Sequence, residues 1–132
     1  MEDRIEKILS GTRTVAVVGI SDKPDRPSNE VASVLKAKGF RVIPVNPTIR
    51  EALGETAYGT LSGIPVKVDL VDVFRRSEDV PPIAEEAVRI GARFFWMQEG
   101  VRSERACEIL DAAGIPWVMD RCVKKELAKR GR

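Results

Sequence analysis

The chain has 132 residues and a formal net charge of +2, and it contains no histidine. Its length suits a single domain with its own core, and 43% apolar and 32% charged residues are typical of a globular protein. The missing histidine excludes Ser-His-Asp and Cys-His catalysis, a phosphohistidine and any histidine metal ligand.

Strand and helix patterns alternate along the chain. A short amphipathic helix is predicted at residues 3–9, and β-branched or apolar runs predict five strands, at residues 14–19, 41–45, 67–74, 92–97 and 115–119. Helices are predicted between the strands, with Ser28, Ser77 and Ser103 as N-caps and with Gly39, Gly91 and Gly114 just past their ends. Residues 48–65 are the least regular stretch, for which we expect a short helix and loops.

The chain ends in a basic helix predicted at about residues 123–130. Residues 121–132 carry a net charge of +5, which leaves −3 on the remainder, and such a helix is usually a solvated face. The small net charge gives no reason to expect nucleic acid as a partner. No apolar run is long enough for a membrane span, and the charged N-terminus does not resemble a signal peptide.

The two cysteines, Cys107 and Cys122, form no CxxC pair and no recognisable metal or disulfide pattern. They are interpreted as small core residues of a protein in the reducing cytoplasm. No metal site is predicted.

Alternating strands and helices predict parallel βαβ units and right-handed crossovers. We expect one α/β domain over residues 1–132, a doubly wound and mainly parallel five-stranded sheet with the strand order 3-2-1-4-5. In such sheets ligands bind outside the carboxyl ends of the strands, at the switch point beside strand 1.

The loop that follows the first strand has the context of a phosphate site. It runs from Gly19 through Ile20 and Ser21 to a helix start, so free backbone N–H groups and the helix dipole favour an anion there. Glycine allows close backbone approach, and side-chain donors are supplied by Ser21, Lys23, Arg26 and Ser28.

A nicotinamide or flavin site is disfavoured by the same loop. The G-x-G-x-x-G fingerprint fails, because positions 21 and 24 are Ser21 and Pro24. The second strand ends in Asn46 and Pro47, where a dinucleotide site needs an acidic residue for the ribose. The Walker pattern is also missing.

Two further strand ends reach the same predicted edge. The third strand delivers Phe74 and Arg75, an aromatic ring for a base and a guanidinium for a phosphate. The fourth delivers Met97, Gln98 and Gly100, where we expect the rest of the ligand to pass between the first and fourth strands.

Five segments together resemble the family of small stand-alone CoA-binding proteins. They are Ala-Val-Val-Gly-Ile-Ser at 16–21, Arg-Val-Ile-Pro-Val-Asn-Pro at 41–47, Val-Asp-Val-Phe-Arg-Arg at 71–76, Trp-Met-Gln-Glu-Gly at 96–100 and Val-Met-Asp-Arg-Cys at 118–122. That family is similar to the N-terminal CoA-binding domain of the succinyl-CoA synthetase α subunit. The resemblance covers nearly the whole chain.

The resemblance implies a Rossmann-like domain that holds coenzyme A in an extended groove. It implies that Gly19, Ser21 and the basic loop meet the pyrophosphate, and that Asn46, Pro47 and Phe74 flank the adenosine. The pantetheine path would be lined by Met97, Gln98 and Gly100. The second synthetase domain, with its phosphorylated histidine, has no counterpart here.

The sequence therefore predicts a non-catalytic cytoplasmic protein that binds coenzyme A or a short acyl-CoA. Two alternatives stay open at this point: the CoA-binding subunit of a two-chain acyl-CoA ligase or transferase, and an NAD(P)-binding redox sensor. A homodimer or a partner subunit is compatible with exposed edge strands but is not required by them.

Overall fold

A computed structural model describes all 132 residues. The five long helices are α1 (Glu2–Ser10), α2 (Pro27–Ala37), α3 (Val80–Arg89), α4 (Glu104–Ala112) and α5 (Val123–Lys129). The strands are β1 (Thr14–Val18), β2 (Arg41–Val45), β3 (Glu51–Ala52), β4 (Glu55–Thr56), β5 (Leu70–Val73), β6 (Phe94–Met97) and β7 (Trp117–Val118). None of the helices is long and apolar enough to cross a bilayer.

The main sheet is parallel throughout and has helices on both faces. β1, β2, β5, β6 and β7 form it, and α1, α2 and α5 cover one face while α3 and α4 cover the other. Each face has its own apolar core, because the central strands are buried on both sides and alternate residues point to opposite faces. The predicted α/β class and five-stranded parallel sheet are confirmed.

The predicted strand order 3-2-1-4-5 is wrong, because the observed order is β2-β1-β5-β6-β7. In the numbering of the predicted strands this order is 2-1-3-4-5, the flavodoxin-like arrangement. The outer edge of β2 is already occupied by Tyr58, whose N–H donates to Pro44 and whose carbonyl accepts from Asn46, each at 2.9 Å. The third long strand therefore crosses back and pairs with the other side of β1.

Several predicted caps also differ from the structure. Ser103 does cap α4, since its hydroxyl accepts from the N–H of Ala106 at 3.1 Å. Ser28 does not cap α2, which starts with Pro27 after Arg26. Ser77 opens a short 3₁₀ turn before α3 and its hydroxyl accepts from Arg102 instead. Residues 48–65 hold the β3–β4 hairpin and a 3₁₀ turn at Leu61–Gly63.

The basic helix α5 is held to the domain by ion pairs. Lys124 pairs with Glu30 of α2, Lys125 with Glu99, and Arg130 with acids of α1 and with Glu126. Burial opposes ionisation of Glu126, but hydrogen bonds from Arg130 and Lys129 outweigh it and lower the pKa of its carboxyl. Most of the positive charge of this segment is thus neutralised within the chain.

Candidate functional site

The largest cavity lies at the carboxyl edge of the sheet, at the ends of β1, β5 and β6. It measures about 650 Å³ and is bounded by the start of α2 and the segment before α5. Its wall is formed by Gly19, Ser21, Lys23, Arg26, Pro27, Ser28, Val31, Phe74, Arg75, Gln98, Glu99, Val101 and Cys122. The strand order reverses at β1 and β5, so this is the switch point where α/β sheets bind ligands.

The loop between β1 and α2 is fixed by three side chains. The N–H of Ser21 donates to the hydroxyl of Ser28 at 2.9 Å, and Asn29 donates its amide to the carbonyl of Ser21 at 2.9 Å. From the other side, Asn46 donates its amide to the carbonyl of Ile20 at 2.9 Å. The loop is therefore attached to both α2 and the end of β2.

The start of α2 leaves donors free at the cavity. No hydrogen bond within the chain uses the backbone N–H groups of Ser28 and Asn29, which belong to the first turn of this 11-residue helix. Lys23 and Arg26 line the same wall and take part in no ion pair. Unused N–H groups, a helix dipole and two free cations together suit an anion.

Gly19 is required by the backbone at the switch point. Its φ of +87° lies in the left-handed region, and a Cβ at this position would stand 2.2 Å from the carbonyl oxygen of Phe74. The end of β1 and the end of β5 thus approach more closely than any side chain permits. This contact sets the floor of the cavity.

A second, smaller cavity of about 350 Å³ lies on the other side of the same edge. Its lining includes Pro47, Pro82 and Ile83 and the acidic residues Glu78, Asp79 and Glu86. Arg75 lines both cavities and so stands between them, and we refer to the two cavities together as the groove. The nearest acid to its guanidinium is Asp79, at 4.0 Å.

The far wall of the larger cavity is built around Gln98. This residue is 3% exposed, and its side-chain oxygen accepts from the N–H of Val123 at 3.0 Å. That bond fixes the amide, and the side-chain NH₂ has no partner within the chain. The one acid of this wall, Glu99, is neutralised by Lys125 at 3.0 Å.

A polar network holds the loop after β6. Asp120, with a φ of +60°, accepts from the N–H of Gly100 at 2.7 Å and pairs with Arg102 at 3.1 Å. These bonds lower the pKa of the Asp120 carboxyl. The hydroxyl of Ser77 accepts from the N–H of Arg102 at 2.9 Å, so three segments are joined beside the cavity.

Most residues predicted for the site come together at the groove. Arg75 lines both cavities, and Pro47 lines the smaller one. Seven more line only the larger cavity: Gly19, Ser21, Lys23, Arg26, Ser28, Phe74 and Gln98. Ile20 and Met97 are fully buried in the two cores, so their side chains are not in either wall. Asn46 and Gly100 stand behind the walls and bond to the loops.

Other lining residues had no signal in the sequence analysis. Val31 belongs to a predicted helix, but only the packing of α2 against the sheet brings it to the cavity, and Val101 lies in the loop after β6. Cys122 lines the cavity because β7 and α5 place it beside Gln98, and both cysteines are free. The expected passage between the first and fourth strands is wrong, because β5 separates β6 from β1.

A buried carboxyl lies one residue before the end of β5. Asp72 is fully buried, its register partners are Val17 and Trp96, and neither carboxyl oxygen has a hydrogen-bond partner. Burial without a partner raises the pKa of this carboxyl well above its ordinary value. The ionised form of Asp72 is therefore disfavoured in the core. No three acidic or cysteine side chains come together as metal ligands.

Comparisons with known proteins agree with this geometry. The profile of the family described as the CoA binding domain matches residues 13–128. The uncharacterised protein YneT of Bacillus subtilis is 45% identical over 120 residues, which are 91% of this chain and 89% of YneT. A hypothetical protein from Pyrococcus horikoshii OT3 has a similar structure, with a TM-score of 0.94 and 33% identity over 98% of this chain and 91% of that one.

One similar protein is an enzyme. An ADP-forming acetate–CoA ligase of Archaeoglobus fulgidus is 31% identical over 121 residues, which are 84% of this chain. The match spans 18% of the ligase, so this chain corresponds to one part of a much longer protein.

Proposed function

This chain belongs to the CoA-binding domain family, and on that premise we propose that it binds coenzyme A or a short acyl-CoA in the groove at the carboxyl edge of its sheet. The observation that carries the proposal is the wall of the larger cavity between β1 and α2. There the free backbone N–H group of Ser28 and the unpaired side chains of Lys23 and Arg26 lie in the same wall.

The charge of the cavity suits the diphosphate of the ligand. Lys23, Arg26 and Arg75 line it, and its single acid, Glu99, is already paired with Lys125. The cavity therefore has a positive surplus, and charge-assisted hydrogen bonds to phosphate are among the strongest that a protein makes. We place the pyrophosphate at the start of α2.

The shape of the groove suits an extended ligand. Arg75 borders both cavities, and in the smaller one Pro47 and Ile83 offer apolar surface and the acids offer acceptors for an amino group. We place the adenosine on this side, beside Pro47. The pantetheine would run the other way, toward Gln98, whose unpartnered NH₂ can donate to one of the ligand's amide carbonyls.

We propose that the chain has no catalytic activity of its own. The thiol of Cys107 is buried, and burial raises its pKa, which makes it a poor nucleophile. Both thiols are free, as expected in the reducing cytoplasm, where we place the protein.

A second candidate function is supported by the acetate–CoA ligase of Archaeoglobus fulgidus. Because this chain matches only part of that enzyme, it is also a candidate CoA-binding subunit of a ligase whose catalytic groups lie on another chain. Co-purification with a protein that confers acyl-CoA formation would favour this candidate over a stand-alone binding protein.

An NAD(P) sensor is the weakest candidate. The position after β2, where a dinucleotide site needs an acid, is Asn46, and its amide is committed to Ile20. A competition assay with a fluorescent CoA analogue tests the proposal. Coenzyme A should displace the probe with a single transition, and NADPH at the same concentration should not. Displacement by NADPH alone would contradict the proposed ligand.

A further inference from the structure

A second basic groove lies at the opposite, amino edge of the sheet. It has a volume of about 560 Å³ and runs between the end of α2, the end of α5 and the starts of β1 and β2. Four of its lining residues are the cations Arg13, Lys38, Arg41 and Arg132, and none is acidic. A groove of this size is in the range of small-molecule sites, roughly 300–1,000 Å³.

The cations of this groove are unpaired. None of the four makes an ion pair or donates a side-chain hydrogen bond, in a chain that forms ion pairs across most of its surface. The contrast is clear within one helix turn, because Arg130 contacts three carboxylates while Arg132 contacts none. The acid nearest to Arg13, Asp69, accepts from backbone N–H groups and pairs with Arg93.

The ends of the helices do not explain this cluster. Cations are common near helix C-termini, but α2 and α5 already carry Lys36 and Lys129 in their last turns. Arg13 and Arg41 lie on no helix. They are neighbours across the start of β1 and β2, where the N–H of Arg41 donates to the carbonyl of Arg13 at 2.8 Å.

Like charges gathered without an acid repel one another unless an anion lies between them. The groove adds a neutral donor, since the hydroxyl of Thr14 has no partner within the chain, and an apolar patch from Phe40 and Leu127. Guanidinium groups bind phosphate and carboxylate groups through paired hydrogen bonds.

From this arrangement we infer that the amino-edge groove binds a small polyanion, a ligand with two or more phosphate or carboxylate groups, through Arg13, Lys38 and Arg41. The site is separate from the proposed CoA groove, which lies at the other end of the strands. The inference rests on these three side chains and not on Arg132.

The test is a calorimetric titration of the full chain carrying Lys23→Gln/Arg26→Gln, which removes the two cations of the proposed pyrophosphate site, with sodium tripolyphosphate, and in a separate arm with citrate, at constant ionic strength. Saturable one-to-one binding of either anion is expected. The double variant Lys38→Gln/Arg41→Gln should weaken it about tenfold or more, because each lost side chain removes a charge-assisted hydrogen bond. The variant Lys67→Gln/Arg89→Gln removes the same charge from exposed, unpaired residues elsewhere and should leave the affinity unchanged.

The two anions identify the chemical class of the ligand. Binding of tripolyphosphate but not of citrate would indicate a phosphate ligand, and equal binding of both would indicate a general polyanion site. Equal weakening by both double variants would show non-specific charge attraction and would overturn the inference, as would the absence of saturable binding. Coenzyme A affinity should be the same in Lys38→Gln/Arg41→Gln as in the native chain, so a failure here is distinguishable from a failure of the proposed function.

Discussion

Asn46 and Ile20 are joined across two neighbouring strand ends by a hydrogen bond of 2.9 Å, from the Asn46 amide to the Ile20 carbonyl. The oxygen of the same side chain accepts from the N–H and the hydroxyl of Thr48, at 2.9 and 2.8 Å. Thr48 thus fixes the side-chain oxygen of Asn46, and the side-chain NH₂ of Asn46 fixes the proposed phosphate loop. It lines neither cavity, so its contribution to binding is to position the loop.

Replacing Asn46 tests that role. Asn46→Ala should weaken coenzyme A binding about fivefold, since one hydrogen bond contributes about 1 kcal/mol to the ordering of the loop. Thr48→Val is the matched control, because it removes only the hydroxyl bond on the far side of Asn46 and should leave affinity close to native. Calorimetric titration measures both variants. Equal affinities of Asn46→Ala and the native protein would show that the loop is held without this bond.

Gly19→Ala should destabilise the fold strongly. The left-handed φ costs about 1 kcal/mol for a side chain, and the clash with the Phe74 carbonyl adds about 1–3 kcal/mol of overpacking. Gly39→Ala isolates the first contribution, because Gly39 has a φ of +98° but open space around the position of a Cβ. Urea unfolding should give a larger loss of unfolding free energy for Gly19→Ala. A loss equal to that of Gly39→Ala would contradict the close approach of β1 and β5.

Asp72 gives a prediction for stability against pH. The folded chain keeps Asp72 protonated over a pH range in which the unfolded chain, with the ordinary aspartate pKa of 3.8, has lost the proton. Since the folded state then binds more protons, the contribution of Asp72 to stability is largest below pH 3.8 and is lost as the pH rises toward the raised folded pKa.

Asp72→Val removes this penalty and the two unpartnered oxygens. At pH 7 we expect the variant to be more stable than the native chain by about 1–3 kcal/mol, the usual cost of a buried unsatisfied group. The difference should shrink as the pH falls toward 4. Asp72→Asn, which does not ionise but keeps polar atoms in the core, separates the two causes. Denaturant unfolding at several pH values measures all three proteins, and a difference that grows at low pH would refute the raised pKa.

Arg75 and Arg76 are adjacent arginines with different predicted roles. Both guanidinium groups lie near Asp79, at 4.0 Å for Arg75 and 3.4 Å for Arg76, but Arg75 lines both cavities and Arg76 lines neither. Arg75→Ala should weaken coenzyme A binding about tenfold, as expected for a charge-assisted contact with phosphate, and should reduce its dependence on salt. Arg76→Ala should change affinity less than twofold. Similar losses for both variants would place the phosphates elsewhere.

The strands, the helices and the parallel sheet could be predicted from the sequence. Apolar runs and helical periodicity, which indicate them, are local properties of the chain. The order of the strands was not predicted correctly, although a signal was present. Pro44 lacks an N–H, and proline within a strand indicates an edge position. That agrees with the observed position of β2 at the edge of the main sheet.

The loop to which we assign phosphate binding could be proposed from the sequence because Gly19 and the start of α2 are close along the chain. Contacts between distant segments were not predictable in the same way. Asn29, Cys122 and the bond from Val123 to Gln98 depend on how α2 and α5 pack on the sheet, which no local pattern specifies. Met97 was predicted to line the site together with its neighbour Gln98. Because side chains alternate along β6, the Met97 side chain instead lies in the apolar core under α3 and α4.

The most direct test of the account is a calorimetric titration of the full chain with coenzyme A, beside the double variant Lys23→Gln/Arg26→Gln. The native protein should bind one equivalent with a Kd below about 1 mM, and the variant should bind at least about tenfold more weakly. Lys67→Gln/Arg89→Gln, with the same loss of charge, should behave like the native protein. Absence of saturable heat at millimolar coenzyme A, or equal affinity in the Lys23→Gln/Arg26→Gln variant, would contradict the proposed site.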